Sequence, residues 1–350
     1  MLQISPSKLA RYFYHECDRY LVYYATAKKE HITKGIPQRS ENRSPVTKAI
    51  LEAGLLWEEE VVKNYLKHRV RIADNNQEKL RNCKFDEPTT IYHLNTIKPE
   101  EYIYQGNLRT PDSFYEKYKL DKHFIDFSMC QPDLIYAYKQ GNDLLFKIID
   151  VKASYEMKMY HKIQVAIYAI ILSHVIIERE IKGKVDFSSC GIWTYGLNEP
   201  QWFDVEAILP QVEEIIYAEL PRLAMIEPGK ANWHINYRCE WCEYCNYCIN
   251  QAEQTQSVSL LPSLTSYGRK HLASDNIEVH TLQDMRDFLR KDICEEYLSQ
   301  CASLCGKRSQ FSSMIESILD GKIRHFNSSS SQMPVYEDIK FILTIQQEHI

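Results

Sequence analysis

The spacing of apolar and polar residues changes along the chain. From residue 5 to residue 27 apolar and aromatic side chains recur at helical spacing, with Cys17 in the middle. A second helical pattern runs from about Pro45 to His68, carried by Ile50, Leu51, Leu55, Val61, Val62 and Tyr65. The period then shortens. Residues 90–94, 101–108, 131–138 and 144–152 read as strands. A long helix is predicted over 156–178, strands over 187–195 and 201–205, and a helix over 209–225. Beyond a cysteine-rich run at 239–248, residues 251–330 read as mostly helical. This order predicts an α/β fold, a mixed sheet flanked by helices, with a mostly helical C-terminal extension. The serines from Ser328 to Ser331 read as a linker. A strand-like Phe341–Ile345 so near the last residue suggests the start of a further domain, and a chain that continues.

Composition narrows the class. The chain has 350 residues, 44% hydrophobic and 25% charged, a globular profile with a net charge of −5. Any nucleic-acid contact must therefore come from a local basic patch. One such stretch holds Lys28, Lys29, Lys34, Arg39, Arg43 and Lys48 against Glu30 and Glu41. It reads equally as a grip on phosphates or as a solvated loop. The N-terminus has no basic start and no apolar core, so no signal peptide is expected. The run from Val165 to Ile177, interrupted by Ser173 and His174, reads as too short to span a bilayer. A cytosolic or nuclear, reducing setting is expected, in which the 11 cysteines are buried thiols or metal ligands rather than disulfides.

The most informative stretch joins Gln131-Pro132-Asp133-Leu134 to Ile149-Asp150-Val151-Lys152 through Gly141-Asn142, a hairpin turn signal. If Gln140 pairs with Asp143, counting outward puts Asp133 opposite Asp150, with Cβ atoms roughly 5 Å apart on one face. Lys152, two residues on, shares that face. Two such carboxylates repel unless a cation lies between them, and hard oxygen ligands suit Mg²⁺ or Mn²⁺. Such an ion polarises a phosphodiester and acidifies bound water, and Lys152 could assist that water or stabilise developing charge.

Pro132-Asp133 followed by Asp150-Val151-Lys152 resembles the PD-(D/E)XK nuclease signature. Gln164-Val165-Ala166-Ile167-Tyr168, on the next helix, resembles the QxxxY motif of the RecB-like branch, whose two polar residues line the active site and contact DNA. That branch carries a glycine and, four residues later, a metal-binding histidine. Here Gly54 is followed by Glu58, a departure, although a glutamate can hold the same ion. The resemblance covers roughly residues 1–250 and implies a restriction-endonuclease-like core. Its metal ligands would be Glu58, Asp133, Asp150 and the Val151 carbonyl, with Lys152, Gln164 and Tyr168 completing the catalytic set.

Cys239, Cys242, Cys245 and Cys248 are spaced two residues apart. Zinc sites commonly separate two cysteine pairs by a dozen residues or more, so this density suits an iron–sulfur cluster better. Cys239, Cys242 and Cys248 resemble the C-terminal triplet of the iron–sulfur RecB-like nucleases, including the AddB-like and CRISPR-adaptation types. Cys17, after Ser5-Pro6-Ser7-Lys8-Leu9, stands where their upstream ligand lies. The resemblance implies a [4Fe–4S] cluster on Cys17, Cys239, Cys242 and Cys248, with Cys245 as a substitute ligand. Cys83, Cys130, Cys190, Cys294, Cys301 and Cys305 read as ordinary thiols.

The expected organisation is a nuclease domain over 1–250, a helical accessory region over 251–330 that grips DNA or simply packs, and a linker with the start of another domain over 331–350. The expected activity is Mg²⁺- or Mn²⁺-dependent hydrolysis of DNA, as an exonuclease on single strands or ends. Repair, recombination and antiphage or CRISPR-type defence are its settings, in a nucleoid-associated cytoplasmic protein. A helicase or a further nuclease domain would be its partner, with no membrane involved. The alternatives are a non-catalytic iron–sulfur DNA-binding module serving a helicase and a zinc-bearing interaction protein.

Overall fold

The computed structural model describes residues 1–39, 45–73, 80, 83–127, 130–274, 277–322 and 324. The chain divides into two compact units after Ala231. The expected linker at Ser328–Ser331 and strand at Phe341–Ile345 lie outside the described residues.

The first unit is α/β. Its main sheet runs β2 (Val70–Arg71), β3 (Tyr102–Tyr104), β5 (Leu134–Gln140), β6 (Asp143–Lys152), β8 (Cys190–Thr194) and β9 (Gln201–Phe203), with β7 (Lys184–Val185) also on β6. The sheet is mixed: β3–β5, β5–β6 and β8–β9 are antiparallel, while β2–β3, β6–β7 and β6–β8 are parallel. A two-stranded parallel pair, β1 (Leu2–Ile4) with β4 (Ile125–Phe127), stands apart.

Parallel β6 and β8 need a crossover, and α6 (Met159–Glu178) supplies it. Among the described residues α6 is the one helix long and apolar enough to cross a membrane, and it starts three residues later than predicted. Most of it is buried, with Val165, Ala166, Ile167, Ala169, Ile171 and Leu172 fully enclosed, which makes it a core helix. Near the sheet, α3 (Pro45–Glu60) and its π-helical continuation Val61–Leu66 bury Trp57, Val61, Val62 and Leu66 against Tyr102, Tyr104, Leu134, Ile149, Val151 and Trp193.

The first predicted helix is two helices. In α1 (Pro6–His15), the Ser5 hydroxyl accepts a hydrogen bond from the Lys8 amide at 3.2 Å and Pro6 opens the first turn. Glu16, at φ +50°, ends it in the left-handed conformation. Cys17 is the N-cap position of α2 (Asp18–Ala25). Residues 90–94, predicted as a strand, belong instead to α4 (Glu87–Thr96). The β-branched run misleads there; Asp86 caps Thr89 at 2.9 Å and Pro88 starts the turn, so capping chemistry prevails. Strand β3 keeps only three residues of the predicted 101–108. Helix α5 (Asp112–Lys117) follows it, and the predicted helix over 209–225 forms as α7 (Leu209–Glu214), a π turn and α8 (Leu220–Met225). In the basic stretch Lys34 pairs with Glu30 at 2.7 Å and Arg39 lies 4.1 Å over the Tyr24 ring. Glu41 and Arg43 lie outside the described residues.

The second unit is helical, with α9 (Cys245–Gln254), α10 (Ser266–Leu272), α11 (Leu282–Leu289), α12 (Cys294–Ser299) and α13 (Arg308–Asp320). Leu261, Leu264, Leu272, Met285, Phe288, Phe311 and Ile315 form its core. Its boundary lies before the cysteine run rather than at residue 250. The reason is a buried polar knot. The Ile235 amide donates to Ser259 Oγ at 2.7 Å, His234 Nδ1 meets the same hydroxyl at 2.9 Å, and His234 Nε2 meets the Leu264 carbonyl at 2.6 Å. Burial pushes the His234 pKa down to about 4, so the neutral ring donates at one nitrogen and accepts at the other.

Ile149 is fully buried where the sheet meets α3. Ile149→Ala is expected to destabilise the first unit by about 2–5 kcal/mol, read from urea unfolding followed by near-UV circular dichroism.

Candidate active site

The β5–β6 hairpin has the register read from its turn. Gln140 pairs with Asp143, and the ladder runs to Leu134 opposite Ile149. Gly141 takes φ +61°, the left-handed position that a two-residue turn of this kind places first. One step further outward, Asp133 and Asp150 face each other. The ladder stops there because the Asp133 side chain replaces it: Asp133 Oδ2 accepts the Val151 amide at 2.8 Å. Val151 itself is paired to Trp193 of β8. Lys152 closes the strand, its Nζ 2.6 Å from Asp150 Oδ2. Asp150 is 1% exposed and the Lys152 side chain 24%.

Glu58, near the end of α3, comes to the same place from another element. Its Oε1 accepts from the Tyr104 hydroxyl at 2.8 Å and from Gln105 Nε2 at 2.6 Å. Gln105 is held in turn by Gln131 Nε2 on its Oε1, and Lys84 Nζ reaches Gln131 Oε1 at 3.3 Å. Tyr104, Gln105 and Gln131 orient the glutamate, and the sequence reading missed all three. The available signal was their position at the site-proximal ends of β3 and β5.

The electrostatics are those of a crowded anionic cluster. Burial raises the Glu58 pKa; the Tyr104 and Gln105 hydrogen bonds and Lys152 oppose that, while Asp150 adds to it. Asp133 is held well above 3.8, first by burial and then by Asp150 and Glu58. For Lys152 burial works against the charge, but Asp150, Asp133 and Glu58 outweigh it and lift the pKa above 10.5. Three carboxylates thus share one ammonium. The donor set is all oxygen, which fits a hard divalent cation. Among the described residues, however, no three His, Cys, Asp or Glu side chains already converge as a metal cage. Instead Lys152 lies against Asp150 Oδ2, and hydrogen bonds occupy Asp133 Oδ2 and Glu58 Oε1.

Gln164 and Tyr168 share one face of α6. Gln164 Nε2 lies 3.4 Å from Asp150 Oδ1 and 3.2 Å from the Tyr168 hydroxyl. Tyr168 is 5% exposed, so it supports Gln164 from below rather than presenting a surface to a nucleic-acid strand. His161, one turn before Gln164, is a further neighbour that the sequence reading missed. Burial, then the charges of Lys152 and Lys158, push its pKa down to about 3.

In the second unit the cysteine run is folded into successive turns. The Cys242 amide bonds to the Cys239 carbonyl at 2.9 Å, and the Cys245 amide to the Cys242 carbonyl at 3.1 Å. Backbone amides also point at sulfur, Asn236 N at Cys239 Sγ and Tyr244 N at Cys242 Sγ, both at 3.5 Å. Amide donors of this kind stabilise thiolates that bind metal. Burial, then Cys239 and Cys248, push the Cys245 pKa up to about 11. Cys245 therefore lies within electrostatic reach of two of the expected ligands. Cys17 belongs to the first unit and is half-buried. Cys83, Cys130, Cys190, Cys294 and Cys301 are buried, and Cys305 is exposed.

Because folding raises the Asp133 and Glu58 pKa values, the native state binds protons more tightly than the unfolded chain. The stability they contribute is present at low pH and lost as pH rises through the folded values, above 3.8 and 4.5. Asp133→Asn removes one of these charges. In metal-free buffer it is expected to raise the melting temperature relative to wild type, by a margin that widens from about pH 4 to about pH 8. A margin that stays constant over that range would contradict the assignment.

Compared with protein-family models, curated proteins and solved structures, the chain matches none, so a functional reading rests on the chemistry of this site.

Proposed function

We propose that the chain is a divalent-metal-dependent deoxyribonuclease with a PD-(D/E)XK core, acting as an exonuclease on single strands or DNA ends. One observation carries the reading: Glu58, Asp133 and Asp150, from three separate elements, share a single lysine in a mostly buried cluster. A structural ion pair would need one carboxylate, and the excess costs stability. Glu58, Asp133 and Asp150, with the Val151 carbonyl, are the groups that would hold Mg²⁺ or Mn²⁺. When bound, such an ion would polarise a phosphodiester and lower the pKa of its attacking water. The protein's own contribution is positioning. Tyr104 and Gln105 fix Glu58, the Val151 amide fixes Asp133, and Gln164 braces Asp150. The Lys152 ammonium, paired with Asp150 on a side chain that is not fully enclosed, would stabilise negative charge developing on the phosphoryl oxygens.

The same reading gives the protein a [4Fe–4S] cluster on Cys17, Cys239, Cys242 and Cys248, a ligand set that rests on spacing and resemblance. The amide-to-sulfur hydrogen bonds at Cys239 and Cys242 support thiolate chemistry in that run.

End-labelled single- and double-stranded DNA is to be incubated with Mn²⁺ and either wild type or Asp150→Asn. Wild type is expected to release a ladder of products that reports polarity, and the variant to be slower by about 10²-fold or more. If neither cuts while both bind DNA, the catalytic reading fails and a binding module replaces it. For the cluster, anaerobically purified wild type and Cys245→Ser are expected to be brown, with iron and acid-labile sulfide, while Cys239→Ser and Cys248→Ser lose the colour. Colourless, zinc-containing wild type would rule the cluster out.

A further inference from the structure

The carboxyl ends of β6 and β8 carry an aromatic wall that the proposed chemistry does not use. Lys152, the last residue of β6, pairs with Thr194, the last residue of β8. Just beyond, Tyr195 donates its amide to the Ser154 carbonyl at 3.0 Å. The Tyr195 ring packs on Trp57 at 5.1 Å between centroids and meets Tyr155 edge-to-face at 5.4 Å, 81°. Trp57 directly precedes Glu58 and is itself fixed, donating Nε1 to the Trp193 carbonyl at 3.2 Å. The turn that holds Tyr195 is fixed as well: Trp193 Nε1 donates to the Leu197 carbonyl at 2.8 Å across Gly196, at φ +78°. The wall therefore begins beside one metal-ligand candidate and ends three residues past Lys152.

Its outer members are not core residues. Tyr155 is 71% exposed and Tyr195 43%. Two neighbouring aromatic rings held open at the strand ends of an α/β sheet, where ligands of such folds bind, have a ligand-facing position. Beside an anionic cluster, a contact that does not depend on charge adds affinity for a nucleic-acid strand. Ring faces provide it, because every base has a π-face, whereas the bases of an intact duplex are already stacked on each other.

Resting on the nuclease reading, we propose that Tyr155 and Tyr195 form a stacking shelf for an unpaired base next to the scissile phosphate, and so select an unpaired strand over an intact duplex. The rings are specificity-determining groups that touch substrate and take no part in the chemistry. Phenylalanine keeps a ring face and alanine removes it.

The test measures binding and cleavage separately. Fluorescence anisotropy in metal-free buffer follows a short labelled single strand and a hairpin-closed blunt duplex with no free end. The proteins are wild type, Tyr155→Ala/Tyr195→Ala and Tyr155→Phe/Tyr195→Phe, each checked by thermal melting. The alanine pair is expected to bind the single strand about tenfold or more weakly with duplex binding unchanged, and the phenylalanine pair to match wild type. Cleavage with Mn²⁺ is then compared on the same substrates. Loss of single-strand affinity in the alanine pair, even if wild type proves unable to cut, supports the shelf while ending the nuclease reading. Wild type that cuts DNA while the alanine pair binds and cuts the single strand equally well overturns the shelf and leaves the nuclease reading standing. A phenylalanine pair as weak as the alanine pair overturns stacking in favour of the hydroxyls.

Discussion

The first unit is organised around buried negative charge. Asp133 and Asp150 face each other one step past the last ladder pair of a hairpin, and Glu58 reaches them from α3. Burial, with the neighbouring carboxylates adding to it, raises the Asp133 and Glu58 pKa values, and one lysine balances only part of the charge. The surroundings hold the arrangement in place. Apolar residues of α3, Ile149 and Val151 lock the sheet on one side, α6 covers the other with Gln164 against Asp150, and a relay of Lys84, Gln131, Gln105 and Tyr104 fixes Glu58. That cost at one place is what supports the proposed cation-binding role.

The part of this legible in the sequence was the part set by local rules. Strand alternation with a Gly-Asn turn fixes a register, and a register fixes which residues meet. Hence Asp133, Asp150 and Lys152 could be brought together from spacing alone. Helical periodicity likewise put Gln164 and Tyr168 on one face of α6. What could not be read is what depends on packing between distant elements. Nothing local says that Tyr104 and Gln105 would take one oxygen of Glu58, or that Tyr168 would be buried beneath Gln164. The misread strand at 90–94 has the same origin in reverse. Its β-branched residues are a weak preference, and the Asp86 cap with Pro88 is a stronger local signal.

The cysteine run shows where sequence adjacency and packing part company. By sequence it reads as the end of the first domain; by packing it belongs with the helical unit, tied there by His234, Ser259 and Leu264. The spacing of Cys239, Cys242, Cys245 and Cys248 reads as a set of metal-binding thiols with Cys245 as a substitute ligand. In the fold Cys245 lies in electrostatic reach of Cys239 and Cys248.

The proposed function requires the carboxylate cluster to be a divalent-cation site. Isothermal titration of the protein with Mn²⁺, beside Asp133→Asn and Asp150→Asn, tests it without reference to any substrate. Saturable binding by wild type and its loss in both variants are expected. Equal binding by all three, or none by wild type, would contradict the proposed function and leave the cluster a costly structural ion pair.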